Sequence, residues 1–186
     1  MRAILLPALM MTLLLSGCRG AAPERRMEEL EQTLNAAQSV TLTADVTANL
    51  ENEVFSCTLR CTARPDAVAV EVRAPESVAG VRAVTDAEGR RIEYGDLSLG
   101  VGGDDGVPSP VTALPLLVNA LKQGSALRTW DERDGEKAVI VREYYLTDNA
   151  LLAVWLDGER LCPLHAEFRQ GGAVTIRCEI TQFTLE

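Results

Sequence analysis

Five cysteines and a single histidine hold most of the nucleophilic and metal-ligating potential of this 186-residue chain. Four of them, Cys57, Cys61, Cys162 and Cys178, fall at inward-facing positions of segments that alternate apolar and polar residues. Zinc sites commonly use close cysteine pairs on turns, whereas Cys57 and Cys61 sit within a run whose other inward residues are apolar. A buried thiol or one half of a disulfide is the favoured reading, and no metal is expected. His165 shares the wetter parity of its segment with Glu167 and Arg169, as a surface histidine does. No serine stands in a Gly-x-Ser-x-Gly setting, so a hydrolase has no nucleophile elbow to use. The stretch Gly100-Val101-Gly102-Gly103 lacks the Lys-Ser/Thr of a phosphate loop, and Asp104 and Asp105 after it would repel phosphate and supply too few oxygens for calcium. Among 27 acidic residues no pair is singled out for acid–base work, so no enzyme activity and no cofactor are expected.

The fifth cysteine has a different setting. Arg2, an apolar run from Ala3 to Leu15 and the tetrapeptide Leu15-Ser16-Gly17-Cys18 follow in that order. A positive start and a short apolar run are the pattern of a secretory signal, too short for the ~20 residues of a spanning helix. The small residues before Cys18 resemble the lipobox of bacterial lipoproteins. That resemblance implies a signal peptide at 1–17, diacylglycerol on the Cys18 thiol as lipid attachment site, and a chain held at the extracytoplasmic side of a cell membrane. Each buried methylene contributes ~0.8 kcal/mol, so two or three acyl chains anchor stably where one does so reversibly.

Removing 17 of 186 residues leaves 169 and takes the net charge of −9 one unit further negative. That length suits one domain, expected at 27–186 after a lipidated tether at 18–26. Strong acidity repels phosphate backbones and anionic headgroups alike, so nucleic acid is not an expected partner and the membrane is held by acyl chains alone.

The residue pattern supplies the elements. Met27, Leu30, Leu34 and Ala37 recur at helical spacing and predict an amphipathic helix at about 27–38. From Val40 the period becomes two: Val40, Leu42, Ala44, Val46, Ala48 and Leu50 face in, then Phe55, Cys57, Leu59, Cys61 and Ala63 after a hairpin, then Val68, Val70 and Val72. Further strands are expected near 80–86, 90–95, 125–131, 136–146, 151–157, 161–168 and 172–184. Gly100 to Pro110 reads as a loop, and Leu114 to Leu121 as a short helix with Pro115 in its first turn. Met27, Trp130, Tyr144, Tyr145 and Trp155 are expected in the core or lining a cavity. Cys57 and Cys61 are about 13 Å apart along a strand, beyond the ~7 Å that a disulfide spans. A three-residue loop at Arg169-Gln170-Gly171 would set Phe168 against Gly172, and in that register Cys162 against Cys178 as a cross-strand disulfide. Pairing of Cys57 or Cys61 with the C-terminal strands remains the rival.

An N-terminal helix, a long antiparallel meander, one helical interruption and a closing strand pair resemble the outer-membrane lipoprotein carrier superfamily of LolA and LolB. The stretch Leu151-Leu152-Ala153-Val154-Trp155-Leu156-Asp157, followed by Leu161-Cys162-Pro163-Leu164, looks like that family's hydrophobic strand, Asp turn and Leu-x-Pro. Ile180-Thr181-Gln182-Phe183 resembles its final strand. The resemblance implies a mainly β (α+β) domain: a strongly curved antiparallel half-barrel, capped by the N-terminal helix and one short internal helix over an apolar cavity. It further implies a membrane-anchored, non-enzymatic binding protein for acyl chains, lipoproteins or an envelope protein. Related lipoproteins of spore-forming bacteria support a cortex-processing amidase, which makes a filled scaffold the alternative. An enclosed space of several hundred Å³ would mark the carrier.

Overall fold

The computed structural model describes residues 23–50, 53–101 and 108–186. Cys18, the expected signal peptide, the start of the tether, and Asp104 and Asp105 lie outside the described residues.

Alternation of apolar and polar residues produces eleven strands: β1 (Val40–Leu50), β2 (Glu53–Ala63), β3 (Ala67–Ala74), β4 (Arg82–Asp86), β5 (Gly89–Tyr94), β6 (Leu97–Val101), β7 (Ala126–Asp134), β8 (Lys137–Thr147), β9 (Ala150–Asp157), β10 (Pro163–Gln170) and β11 (Ala173–Leu185). They form one sheet in the order β6-β5-β4-β3-β2-β1-β11-β10-β9-β8-β7. Every strand pairing among the described residues is antiparallel, and β1 joins the two halves by pairing with β2 on one side and β11 on the other. The sheet does not close, so β6 and β7 are its edges. The chain crosses from one edge to the other through helix α2 (Pro110–Gln123), which lies over the same face as helix α1 (Pro23–Ala36). The result is the capped, curved half-barrel meander expected from the sequence. No helix among the described residues is long and apolar enough to cross a membrane.

The core lies between sheet and helices. Met27, Leu30 and Leu34 of α1 and Ala113, Leu114, Leu117, Val118 and Leu121 of α2 meet Leu42, Val46, Leu59, Val70, Leu152, Leu156 and Phe168 from the inner face. Beneath the helices this space is filled by the protein's own side chains. Alternation placed β1 as observed, since Val40, Leu42, Ala44, Val46 and Ala48 are all buried.

Several boundaries differ from expectation for identifiable reasons. Helix α1 begins at Pro23, so residues 23–26 of the expected tether are helical; proline at a first turn forfeits an amide with no helical partner anyway. Helix α2 begins well before Leu114, because Ser109 and Thr112 form a reciprocal capping box with Pro110 next in line. Pro115 therefore sits in the helix interior, not in the first turn. The amide it lacks would have met the Val111 carbonyl, and both residues line an open groove. Leu97 and Leu99 alternate in a short strand where the reading from sequence runs straight into a loop. Phe55 has the inward parity of β2 yet is exposed, because it lies toward the strand end away from the buried run.

Candidate functional site

The helices cover only part of the inner face. Strands β3 to β6 run out beyond α2, leaving a groove of 520 Å³ between that helix and the sheet. Val68, Val70 and Ile92 form its sheet wall, and Val111, Pro115 and Leu116 its helix wall. Arg90 and Asn119 supply its principal polar groups. Registers Arg90↔Val101, Ile92↔Leu99 and Tyr94↔Leu97 put Ile92, Tyr94, Leu97, Leu99 and Val101 on one face in a continuous stripe leading out of the groove. Leu97 is 74% exposed, Leu99 68% and Tyr94 55%. Isolated exposed leucines are ordinary, but several contiguous with an apolar groove mark a surface suited to binding.

The expected disulfide is not formed. Cys57, Cys61, Cys162 and Cys178 are all free thiols. Residues Gly171 and Gly172, with φ of +58° and +83°, make a two-residue turn closed by Gln170 and Ala173 in place of the expected three-residue loop. A bulge between Phe168 and Arg169 shifts the register again, so Cys178 stands opposite Ala166. Cys162 precedes β10 in the turn, and its carbonyl accepts a hydrogen bond from the Asp157 amide at 2.9 Å. Burial pushes the Cys61 thiol up to about 12. Cys178 is likewise pushed up to about 12, by burial first and then by Cys57 and Glu179. Neither is a nucleophile near neutral pH. No group of three or more His, Cys, Asp or Glu among the described residues is placed to hold a metal.

His165 lies on the outer face with Glu167 and Arg169, as its parity predicts, but its neighbourhood is more ordered than a bare surface. Glu167 is only 8% exposed. It accepts hydrogen bonds from Arg169 Nη2 and Arg177 Nη2, each at 2.8 Å. Burial raises its carboxyl pKa, but these bonds outweigh burial and hold the group below the usual carboxylate range. Arg169 also reaches Glu143, whose other oxygen accepts from Arg128 Nε at 2.6 Å. The charges thus alternate across β7, β8, β10 and β11. His165 Nδ1 shares a hydrogen bond of 2.8 Å with Glu179, and its ring meets Trp155 edge-on at 4.8 Å.

Of the five large side chains expected in the core or lining a cavity, Met27 and Tyr144 are in the core. Trp130 and Trp155 instead occupy the outer face, flank Val141, and donate to Glu132 at 2.7 and 3.3 Å. Tyr145 is exposed. Alternation assigns a side chain to a face; it does not tell that bulky residues on the outer face can bury one another. At the expected Asp turn, Asp157 Oδ1 accepts from the amides of Glu159 and Arg160, each at 2.8 Å, and these bonds lower its pKa. Gly158 beside it packs so closely that a Cβ would lie 2.5 Å from the Ala138 carbonyl oxygen.

An open antiparallel meander with its two ends zipped together at β1 and β11, and with two helices over its inner face, decides the architecture. The domain is an open antiparallel half-barrel capped by two helices. No family model matches the chain and no curated protein matches it in sequence. Among solved structures it is similar to a DUF1329 family protein from Desulfovibrio piger, at 11% identity and a TM-score of 0.52 over 88% of this chain and 93% of that one. It is also similar to an uncharacterized conserved protein from Thermus thermophilus, at 16% identity and a TM-score of 0.53 over 89% of this chain and 88% of that one. A LolA superfamily protein from Nitrosomonas europaea superposes more loosely, with a TM-score of 0.44 and 9% identity over 90% of this chain and 94% of that one. Likeness at these identities speaks to the fold alone.

Proposed function

We propose that this chain is a membrane-anchored binding protein, held by lipid on Cys18 at the extracytoplasmic side, whose groove between α2 and β3–β6 receives a single acyl chain without chemical conversion. One observation carries the reading: the apolar stripe from Ile92 to Leu97 and Leu99 is left uncovered by the two helices that cover the inner face elsewhere. At 520 Å³ the groove falls within the ~300–1,000 Å³ typical of small-molecule sites. Its valine, isoleucine and proline walls suit contact that is non-directional and proportional to apolar area. The buried thiols and the paired carboxylates of the outer face supply no free nucleophile or base beside it.

The packed interior beneath α1 and α2 favours a second reading, a scaffold that presents the stripe to a hydrophobic segment of an envelope protein. Native mass spectrometry of the protein released gently from membranes separates the two. A lipid adduct lost in Ile92→Asp supports the acyl-chain reading. A protein adduct lost in the same variant supports the scaffold. An adduct-free chain, with no fatty-acid binding when lipid is added back, refutes the groove as a ligand site.

A further inference from the structure

The outer face carries a second cavity, separate from the acyl groove and on the opposite side of the sheet. It is a hollow of 620 Å³ where β7, β8, β9 and β10 meet the β8–β9 and β10–β11 turns. Three register shifts surround it, between Ala126 and Arg128, between Tyr145 and Thr147, and between Phe168 and Arg169. Bulges break the ladder and re-aim side chains, and their gathering at one spot opens the pleat there. On the rim, nothing lies within 4 Å of where a Cβ would stand on Gly171 or Gly172.

The floor is Glu143, 3% exposed, with both carboxylate oxygens engaged by Arg128 and Arg169. The Tyr145 ring stands at the side, 54% exposed. Among the described residues, the terminal nitrogens of Arg128, the Tyr145 hydroxyl, the Asp148 carboxylate and the Asn149 amide have no hydrogen-bond partner, and all these residues line the hollow.

From this we infer that the hollow binds a neutral pyranose ring of a saccharide, seated on Tyr145. Two arginines and two carboxylates bring its formal charge to zero, so neither an anion nor a cation is selected. The Glu143 oxygens are already taken by Arg128 and Arg169, and the unpartnered Asp148 carboxylate is offset by the unused terminal nitrogens of Arg128. Unused donors and acceptors of Arg128, Asp148 and Asn149 line the hollow together with an exposed aromatic ring, and a sugar offers hydroxyls to the former and a C–H face to the latter. The Arg128–Glu143–Arg169 chain holds the donors in place before any ligand arrives, and Trp130, 4.7 Å from the Arg128 guanidinium, gives a built-in fluorescence reporter.

The test uses the full chain carrying Cys18→Ser, with N-acetylglucosamine tetramer and maltotetraose as probes in saturation-transfer NMR and Trp fluorescence titrations. The expected result is transfer to ring C–H protons of at least one probe, a change in tryptophan emission, and about tenfold or greater weakening in Tyr145→Ala, equal to ~1.4 kcal/mol. Arg128→Gln should weaken binding too, whereas the groove variant Ile92→Asp should bind sugar as the parent does. Tyr145 is exposed, so its replacement should leave the circular dichroism spectrum intact. Absence of transfer to both probes overturns the inference, as does transfer undiminished in a folded Tyr145→Ala.

Discussion

Replacing Leu99 or Ile92 with aspartate tests the groove without threatening the fold. Leu99 is 68% exposed and Ile92 41%, so neither substitution takes much packing from the free protein. Surface changes of this kind usually alter stability by no more than about 0.5 kcal/mol. An acyl chain lying along the stripe would cover each of these side chains. Losing contact with two or three methylene equivalents, at ~0.8 kcal/mol each, costs roughly 2 kcal/mol, or about thirtyfold in Kd. Seating a carboxylate against hydrocarbon adds to that loss. The assay is titration of a fluorescent fatty acid into the Cys18→Ser chain, with thermal melting of each variant alongside. Thr43→Asp, on the polar face of β1, should bind as the parent does. By contrast Leu42→Asp buries a charge at a fully enclosed position and should unfold the domain. If Leu99→Asp and Ile92→Asp melt normally and bind the fatty acid with unchanged affinity, the groove is not the site.

Further expectations concern the anchor, the thiols and acid stability. Cys18→Ala should lose its acyl mass and leave the membrane fraction; a variant that is cleaved normally and stays membrane-bound contradicts anchoring at this residue. Alkylation of the native protein near pH 8 should label the half-buried Cys162 first, with Cys61 and Cys178 reacting only on unfolding because burial lifts their thiols to about 12; a Cys162–Cys178 peptide in a non-reducing map would contradict the free thiols. Glu167 has a folded pKa below its ordinary 4.5, so its contribution to stability is present above that value and is lost as pH falls through the lower folded pKa. Glu167→Gln should therefore flatten the acid side of the melting-temperature profile, and an unchanged slope would remove Glu167 as its cause.

Much of the fold was legible because local rules act on neighbouring residues. The period-two run from Val40 to Ala48 specifies a half-buried strand, and the heptad-like spacing of Met27, Leu30 and Leu34 specifies one apolar helix face. Composition sets an expectation about partners in the same way, since repulsion of phosphate follows from net charge without knowledge of the fold. Signals that depend on a turn's conformation were weaker. Two successive left-handed glycines at 171 and 172, and one bulge, moved Cys178 from Cys162 to Ala166.

The sequence by itself determined which side chains each strand turns to which face, because side-chain direction alternates with the backbone whatever the strand lies against. It also placed the apolar helix faces. Only the tertiary structure decided where the helices come to rest. The chain must travel from edge β6 to edge β7, and α2 makes that crossing over β1, β2, β3 and β11, so the inner face near β6 stays uncovered. Leu42 and Leu99 both alternate inward in their strands, yet one is sealed into the core and the other is open to a ligand. That difference is a property of the crossing, since burial depends on what long-range packing places above a residue.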